Sequence, residues 1–222
     1  MNRYWILFLF LLFFSTTIHA EIGVAAGARA GFNISSLRKY NAPFNFKKRV
    51  NLGSDIAGVL RLDFNKYISL QTEIEFTQKG QGWKMSEDSL KYSGKQVINY
   101  VQFPILAIGR FGNDKIKGII QFGPYVSYWT GGYVQNSVSI DKQSKNSTTM
   151  KHTFVENDRR VDAGLVVGAG ADFKVGKGWI ELALRYDAGF IGLSKKSTIA
   201  PKTFNSNFGI SISYLYSIKS IE

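Results

Sequence analysis

Residues 204–218 alternate strictly. The even positions are apolar or aromatic except Ser206 (Phe204, Phe208, Ile210, Ile212, Tyr214, Tyr216, Ile218), and the odd positions are Asn205, Asn207, Gly209, Ser211, Ser213, Leu215 and Ser217. A period of two belongs to a β-strand with one greasy face and one polar face. The same pattern predicts strands over residues 22–34, 53–64, 67–79, 97–111, 118–130, 160–175 and 178–190, for a total of eight. Pro104 cannot donate a ladder hydrogen bond, so a bulge or local break is expected there.

The connections alternate as well. Residues 35–52, 80–95, 131–159 and 191–203 are long, polar and without alternation, whereas 65–66, 112–117 and 176–177 are short. Residues 131–159 read as a mobile loop. An even number of strands joined by short turns at one end and long loops at the other is the pattern of bacterial outer-membrane barrels. Each predicted strand also supplies the roughly 9 to 11 residues a tilted membrane strand needs. The predicted fold is an all-β, eight-stranded antiparallel up-and-down transmembrane barrel, with short periplasmic turns and long extracellular loops.

The first twenty residues support export. One early positive charge, Arg3, precedes an apolar run over residues 5–14 and a small-residue end at Ala20. This is the layout of a secretory signal peptide, and the run falls short of the roughly 20 apolar residues of a membrane-spanning helix. Residues 1–20 are therefore read as a cleaved signal peptide and 21–222 as the barrel domain, located in the bacterial outer membrane. The chain has no cysteine, which excludes disulfides, thiolate catalysis and cysteine-based zinc sites.

The two faces differ in charge. The predicted lipid face carries almost none, as expected where Arg or Lys costs roughly 2 to 4 kcal/mol at the midplane. The opposite face carries Arg29, Arg61, Arg110, Lys174 and Arg185 with Asp63, Glu73, Glu75, Asp162, Asp172, Glu181 and Asp187. An eight-stranded barrel is about narrow enough for side chains to fill, and buried charges must be paired. These groups are expected to interlock as a plug. Phe32, Phe64, Tyr67, Phe111, Tyr128, Trp129, Trp179, Phe190, Tyr214 and Tyr216 lie near strand ends, where aromatic girdles form.

The segments GVAAGARAGFNISSL, LQTEIEFTQKG, YVQFPILAIGRF, FGPYVSYWTGG, VDAGLVVGAGADF and ELALRYDAGFIGLS, taken in order, resemble the PorT-like outer membrane β-barrel proteins. The resemblance spans nearly the whole mature chain and implies an outer-membrane barrel. Its name-giving member is associated with protein secretion across the outer membrane, so the resemblance also implies a secretion complex as a partner. It supplies no catalytic residues. The spacing Asn207, Gly209, Ile212, Tyr214 resembles the C-terminal signal read by barrel-assembly machinery, although here the chain continues to Glu222.

The formal charge of +12, or +11 without Arg3, lies largely in the expected external loops. Arg38, Lys39, Lys47, Lys48, Arg49, Lys195, Lys196 and Lys202 are placed to meet lipopolysaccharide phosphates, since basic clusters attract polyanions. The alternative is a solvated loop surface. An exported chain without interleaved stacking aromatics is not expected to bind nucleic acid. His152, with Ser147, Thr148, Thr149, Glu156 and Asp158 near it in sequence, is the one candidate base, but a triad requires fixed geometry. No catalytic residue, metal or cofactor is assigned. Three functions stay open: a closed barrel with a structural, adhesive or assembly role, a narrow channel for small solutes, and a secreted lipocalin-like ligand-binding barrel.

Overall fold

The computed structural model describes residues 22–38, 46–87, 90–140, 144–195 and 203–220. The expected signal peptide, residues 1–20, lies outside the described residues. Ten strands form one antiparallel sheet: β1 Gly23–Arg38, β2 Lys47–Arg49, β3 Asn51–Asp63, β4 Ile68–Glu87, β5 Leu90–Gly112, β6 Ile116–Ile140, β7 Ser144–Lys151, β8 Val161–Val175, β9 Gly178–Gly189 and β10 Phe204–Lys219. Eight of them close a ring, β1-β3-β4-β5-β6-β8-β9-β10, with β10 pairing back onto β1 through Ala28↔Tyr214 and Phe32↔Ile210. Closure removes the sheet's exposed edges. The two short strands lie outside the ring, β2 on β4 and β7 on β6.

Three tight turns define one end. Asn65 and Asn113 each accept two backbone N–H groups through Oδ1, from Tyr67 and Ile68 at 2.8 Å and from Lys115 and Ile116 at 2.9 and 2.8 Å. Both are Asx turns, the local bonding for which Asn is favoured. The third turn, at Gly176 and Lys177, places Gly176 at φ +56°, the left-handed region open to glycine at little cost.

The opposite end departs from the expected loops. Residues 80–87, 90–95, 131–140 and 144–151 are strand: β4, β5 and β6 run well past the alternating region, and β7 pairs with β6 from Tyr133↔Lys151 to Ile140↔Ser144. Part of the expected loop at 35–52 is likewise strand, in β1, β2 and β3. Together β2, β4, β5, β6 and β7 make an ordered sheet that rises beyond the ring. Near Pro104 the β4–β5 pairing is interrupted between Thr72↔Ile105 and Glu75↔Gln102 without a change of register. The register shift in β5 falls instead between Asn99 and Tyr100.

The ring is inverted relative to a soluble barrel. Phe32, Ile56, Ile74, Ile105, Phe122, Val167, Leu184 and Ile210 all point outward and are exposed, while Arg61, Gln71, Glu73, Gln121, Asp172 and Glu181 are buried inside. Two apolar clusters share the interior with them: Leu106, Ile108, Ile119, Tyr125 and Val166 in one, and Ala25, Ala57, Val59 and Leu215 in the other.

Candidate functional site

The interior charges follow from strand parity. Residues two apart share a face, so Glu73 and Glu75 both enter the lumen from β4. Arg29 of β1 meets Asp55 at 2.6 Å and both Glu73 and Glu75 at 3.0 Å. Arg185 of β9 reaches Glu73 at 2.8 Å and Glu181 at 3.5 Å. Arg61 of β3 bonds Asp172 and Gln71 at 2.8 Å and also pairs with Glu181. Gln121 adds a 3.0 Å bond to Glu181. Toward the turn end Arg110 joins Asp63 at 2.9 Å and Asp172 at 3.5 Å.

Toward the loop end the network continues through residues that charge alone does not single out. Lys79 donates to Gln102 at 2.7 Å and to Asp187 at 3.3 Å, and Gln102 donates to Glu75 at 3.3 Å. Asp162 accepts from Asn205 at 2.8 Å and from Tyr125 at 3.3 Å. Glycines on β8 leave space for these large groups. A Cβ on Gly164 would lie 2.8 Å from the Tyr125 ring, and one on Gly168 would lie 3.1 Å from Arg185 Cγ. The void at the centre, lined by Arg29, Asp55, Glu75, Arg185 and Asp187, is only about 10 Å³. That holds at most about one water.

Lys174 stands apart from the expected network. It is exposed beside the last tight turn, with its ammonium 4.9 Å from the Trp179 ring. Next to a turn, its long stem carries the charge out to water. Trp129 and Trp179 are 2% and 9% exposed and point inward, so neither belongs to an outer girdle. The other eight aromatics of that set are exposed on the outside. Asp55 and Lys79 are the charged members that sequence reasoning left out of the network. Both carried the signal, since Asp55 has the parity of Arg61 and Lys79 that of Glu73 and Glu75.

Residues 15–195 match the family described as outer membrane protein beta-barrel domain. The chain belongs to this family. It is an integral barrel of the bacterial outer membrane, with its exposed apolar belt against lipid, the tight turns periplasmic and the long hairpins extracellular. No curated protein matches it. Similar solved structures include outer membrane protein OprG of Pseudomonas aeruginosa, 10% identical, covering 90% of this chain and 96% of that one with a TM-score of 0.48. Neisserial surface protein A is 14% identical, covering 86% and 95% with a TM-score of 0.40. Ail of Yersinia pestis is 14% identical, covering 87% and 99% with a TM-score of 0.38.

On the extracellular side of this family member, loops and hairpins fold over the ring. The His152 ring stacks on Trp129 at 4.6 Å, and Phe154 meets both edge-on at 5.1 and 5.4 Å. Arg160 lies 4.2 Å from the Phe154 ring centre and 4.5 Å from that of Tyr128. Asp158 Oδ2 is 2.9 Å from His152 Nε2 and accepts the Val155 N–H at 3.0 Å. Backbone bonds from Arg159 to Leu193 at 2.8 Å and from Lys195 to Asn157 at 2.9 Å join two extracellular segments. Within the segment read as mobile, residues 152–159 thus form a cap, because aromatic stacking and cross-loop bonding replace the apolar alternation that sequence reading relied on.

The expected basic residues divide by position. Lys47, Lys48 and Arg49 form β2 and are exposed, and Lys195 sits in the cap. Arg38 donates to Gly189 O and Lys48 to Leu37 O. Desolvation pushes the Lys48 ammonium below the ordinary lysine value. Lys39, Lys196 and Lys202 lie outside the described residues. Of the spacing that resembles an assembly signal, Asn207 faces inward at 6% exposure, Gly209 is half-buried, and Ile212 and Tyr214 face lipid.

Proposed function

We propose that the protein is a closed outer-membrane barrel that works through its extracellular sheet and cap, as an adhesive, structural or secretion-assembly partner. The observation that carries this reading is the lumen. A chain of ion pairs crosses it from Asp63 to Glu75, and Gln102 joins this chain by hydrogen bonds to the Lys79–Asp187 pair. The central void is about 10 Å³. Solute passage would require breaking several buried pairs at once.

The proposed partner on the outer face is the phosphate-bearing headgroup of lipopolysaccharide. Exposed Lys47, Arg49 and Lys91 with half-buried Lys84 and Lys95 supply the complementary charge on β2, β4 and β5. The PorT-like strand-and-glycine segments support a secretion complex as a further partner, and the β10 spacing supports handling by barrel-assembly machinery. Export would remove residues 1–20, so the mature chain would begin at Glu21. The reading assigns no catalysis, because His152 is held by Asp158 and Trp129 as part of the cap.

Planar-bilayer recording of the pure protein tests closure. The expected result is no steady unitary current, and stable single-channel currents would replace this reading with the solute channel. A pull-down from detergent-solubilised outer membrane tests the partners, and N-terminal sequencing tests the mature start.

A further inference from the structure

Positive charge gathers at the periplasmic mouth, below the luminal network. A cavity of about 520 Å³ opens there between the tight turns, with Trp179 in its wall. Among the described residues five basic side chains line it (Lys66, Arg110, Lys117, Lys174 and Lys219, the last with an interaction of its own) against two acidic ones, Asp63 and Asp114. Asp63 is already engaged, accepting from Arg110 at 2.9 Å and from Ser69 at 2.5 Å.

Three of the cations converge on one indole. The Trp179 ring centre lies 4.9 Å from Lys174 Nζ, 5.0 Å from Lys117 Nζ and 5.1 Å from the Arg110 guanidinium carbon. The two ammonium groups are therefore within about 10 Å of each other, close to the ~8 Å screening length of physiological salt. Among the described residues neither ammonium has a carboxylate within 4.0 Å. Arg110 adds a fixed charge behind them: it is 5% exposed, and its Nη2 lies beneath the surface with no hydrogen-bond partner among the described residues. A buried donor left unmade costs about 1–3 kcal/mol, more when charged. Nothing in the luminal network uses it.

We infer that this mouth is a binding site for a carboxylate-bearing peptide on the periplasmic side. The carboxylate takes the ammonium groups of Lys117 and Lys174 in front of the buried positive charge of Arg110, while the indole edge and the lysine stems receive the organic body. The volume falls among ligand sites of roughly 300–1,000 Å³, which is ample for a short peptide and far more than an inorganic ion fills. Cell-wall stem peptides and the C-termini of periplasmic proteins share this chemistry. The inference goes beyond the extracellular role proposed above and does not depend on it, because the site faces the other compartment.

The experiment is a titration of the intact barrel in zwitterionic detergent at low salt, following the indole N–H resonance of Trp179, assigned with a Trp179→Phe variant. The probes are a soluble cell-wall stem peptide, a tetrapeptide of ordinary residues with a free C-terminus, its C-terminal amide, and inorganic phosphate. A saturable shift with one or both free-carboxylate peptides, none with the amide, and at least a tenfold weaker affinity in Lys117→Gln/Lys174→Gln supports the site. Tighter binding of the stem peptide assigns the cell wall as the source, and the reverse order assigns protein C-termini. Absence of a saturable shift with either peptide, equal binding of the amide, saturation by phosphate alone, or unchanged affinity in the double variant would overturn it. Heat-shifted gel migration verifies folding, and should the double variant not fold, exposed Lys174→Gln alone carries the test.

Discussion

The β5–β6 pair passes through two media, and its two halves obey different rules. Below Tyr100 and Trp129, the outward residues Val101, Phe103, Ile105, Phe122 and Val126 alternate with inward Gln102, Leu106, Ile108 and Gln121. Above them the ladder continues from Asn99↔Gly131 to Leu90↔Ile140, yet Tyr, Ser, Gly, Lys, Gln and Asn are interspersed with Val97, Ile98, Val134 and Val138 in no regular order, many half-exposed. The register shift between Asn99 and Tyr100 marks the border. Backbone pairing sustains a strand in either medium. Sidedness is imposed only where one face meets lipid and the other meets a filled lumen, because above the buried Val97 and Ile98 both faces of the upper sheet can be wet.

The sharpest test of that contrast removes one luminal charge. Arg61→Leu leaves Asp172 and Glu181 buried without their shared partner, and breaking a buried pair from one side costs about 3–5 kcal/mol. Equilibrium urea unfolding in lipid vesicles should show a loss of that order. Lys95→Leu, in the upper sheet 5.8 Å from the Tyr133 ring centre, should stay within about 0.5 kcal/mol of the parent. Similar losses for both would mean that the lumen is far wetter than its ion pairs imply.

A second comparison probes the outer faces. Leu184, 47% exposed midway along β9, faces lipid, so Leu184→Arg should cost about 2–4 kcal/mol in the same unfolding measurement. Thr149→Arg, on exposed β7, changes a residue already in water. A shift of no more than about 0.5 kcal/mol is expected there. Equal costs at the two positions would contradict the placement of β7 outside the bilayer.

The same contrast explains what the sequence discloses. All eight ring strands are legible because lipid on one side and charge on the other write a period of two into each, and luminal residues such as Arg29, Glu73 and Arg185 are legible from parity. The hairpin extensions are not legible, since nothing in residues 80–95 or 131–151 separates a wet strand from a loop. Parity also fails to report depth. Lys174 has the inward parity of Asp172 but sits two residues closer to a turn, where its charge escapes to the mouth. The two inward tryptophans illustrate the reverse: nearness to a strand end suggests a girdle, whereas parity, with Tyr128 outward, already turns Trp129 inward.

The smallest loss expected of a disruptive substitution lies in the cap, where the two regions touch. Asp158 holds His152 and the Val155 N–H, and its neighbours Asn157 and Arg159 bond across to Lys195 and Leu193. Asp158→Ala removes both acceptor interactions while leaving the ion-pair chain below untouched, so about 1 kcal/mol is lost locally. Local opening of the cap need not reach the ring, because proteins open in cooperative units of differing stability. Amide exchange at Val155 and Arg159 should therefore accelerate, with exchange at Gln71 and Glu181 and the urea midpoint unchanged. Acceleration at Gln71 as well would show that cap and lumen form one cooperative unit, and the border at Asn99 and Tyr100 would then mark a change of medium without a change of stability.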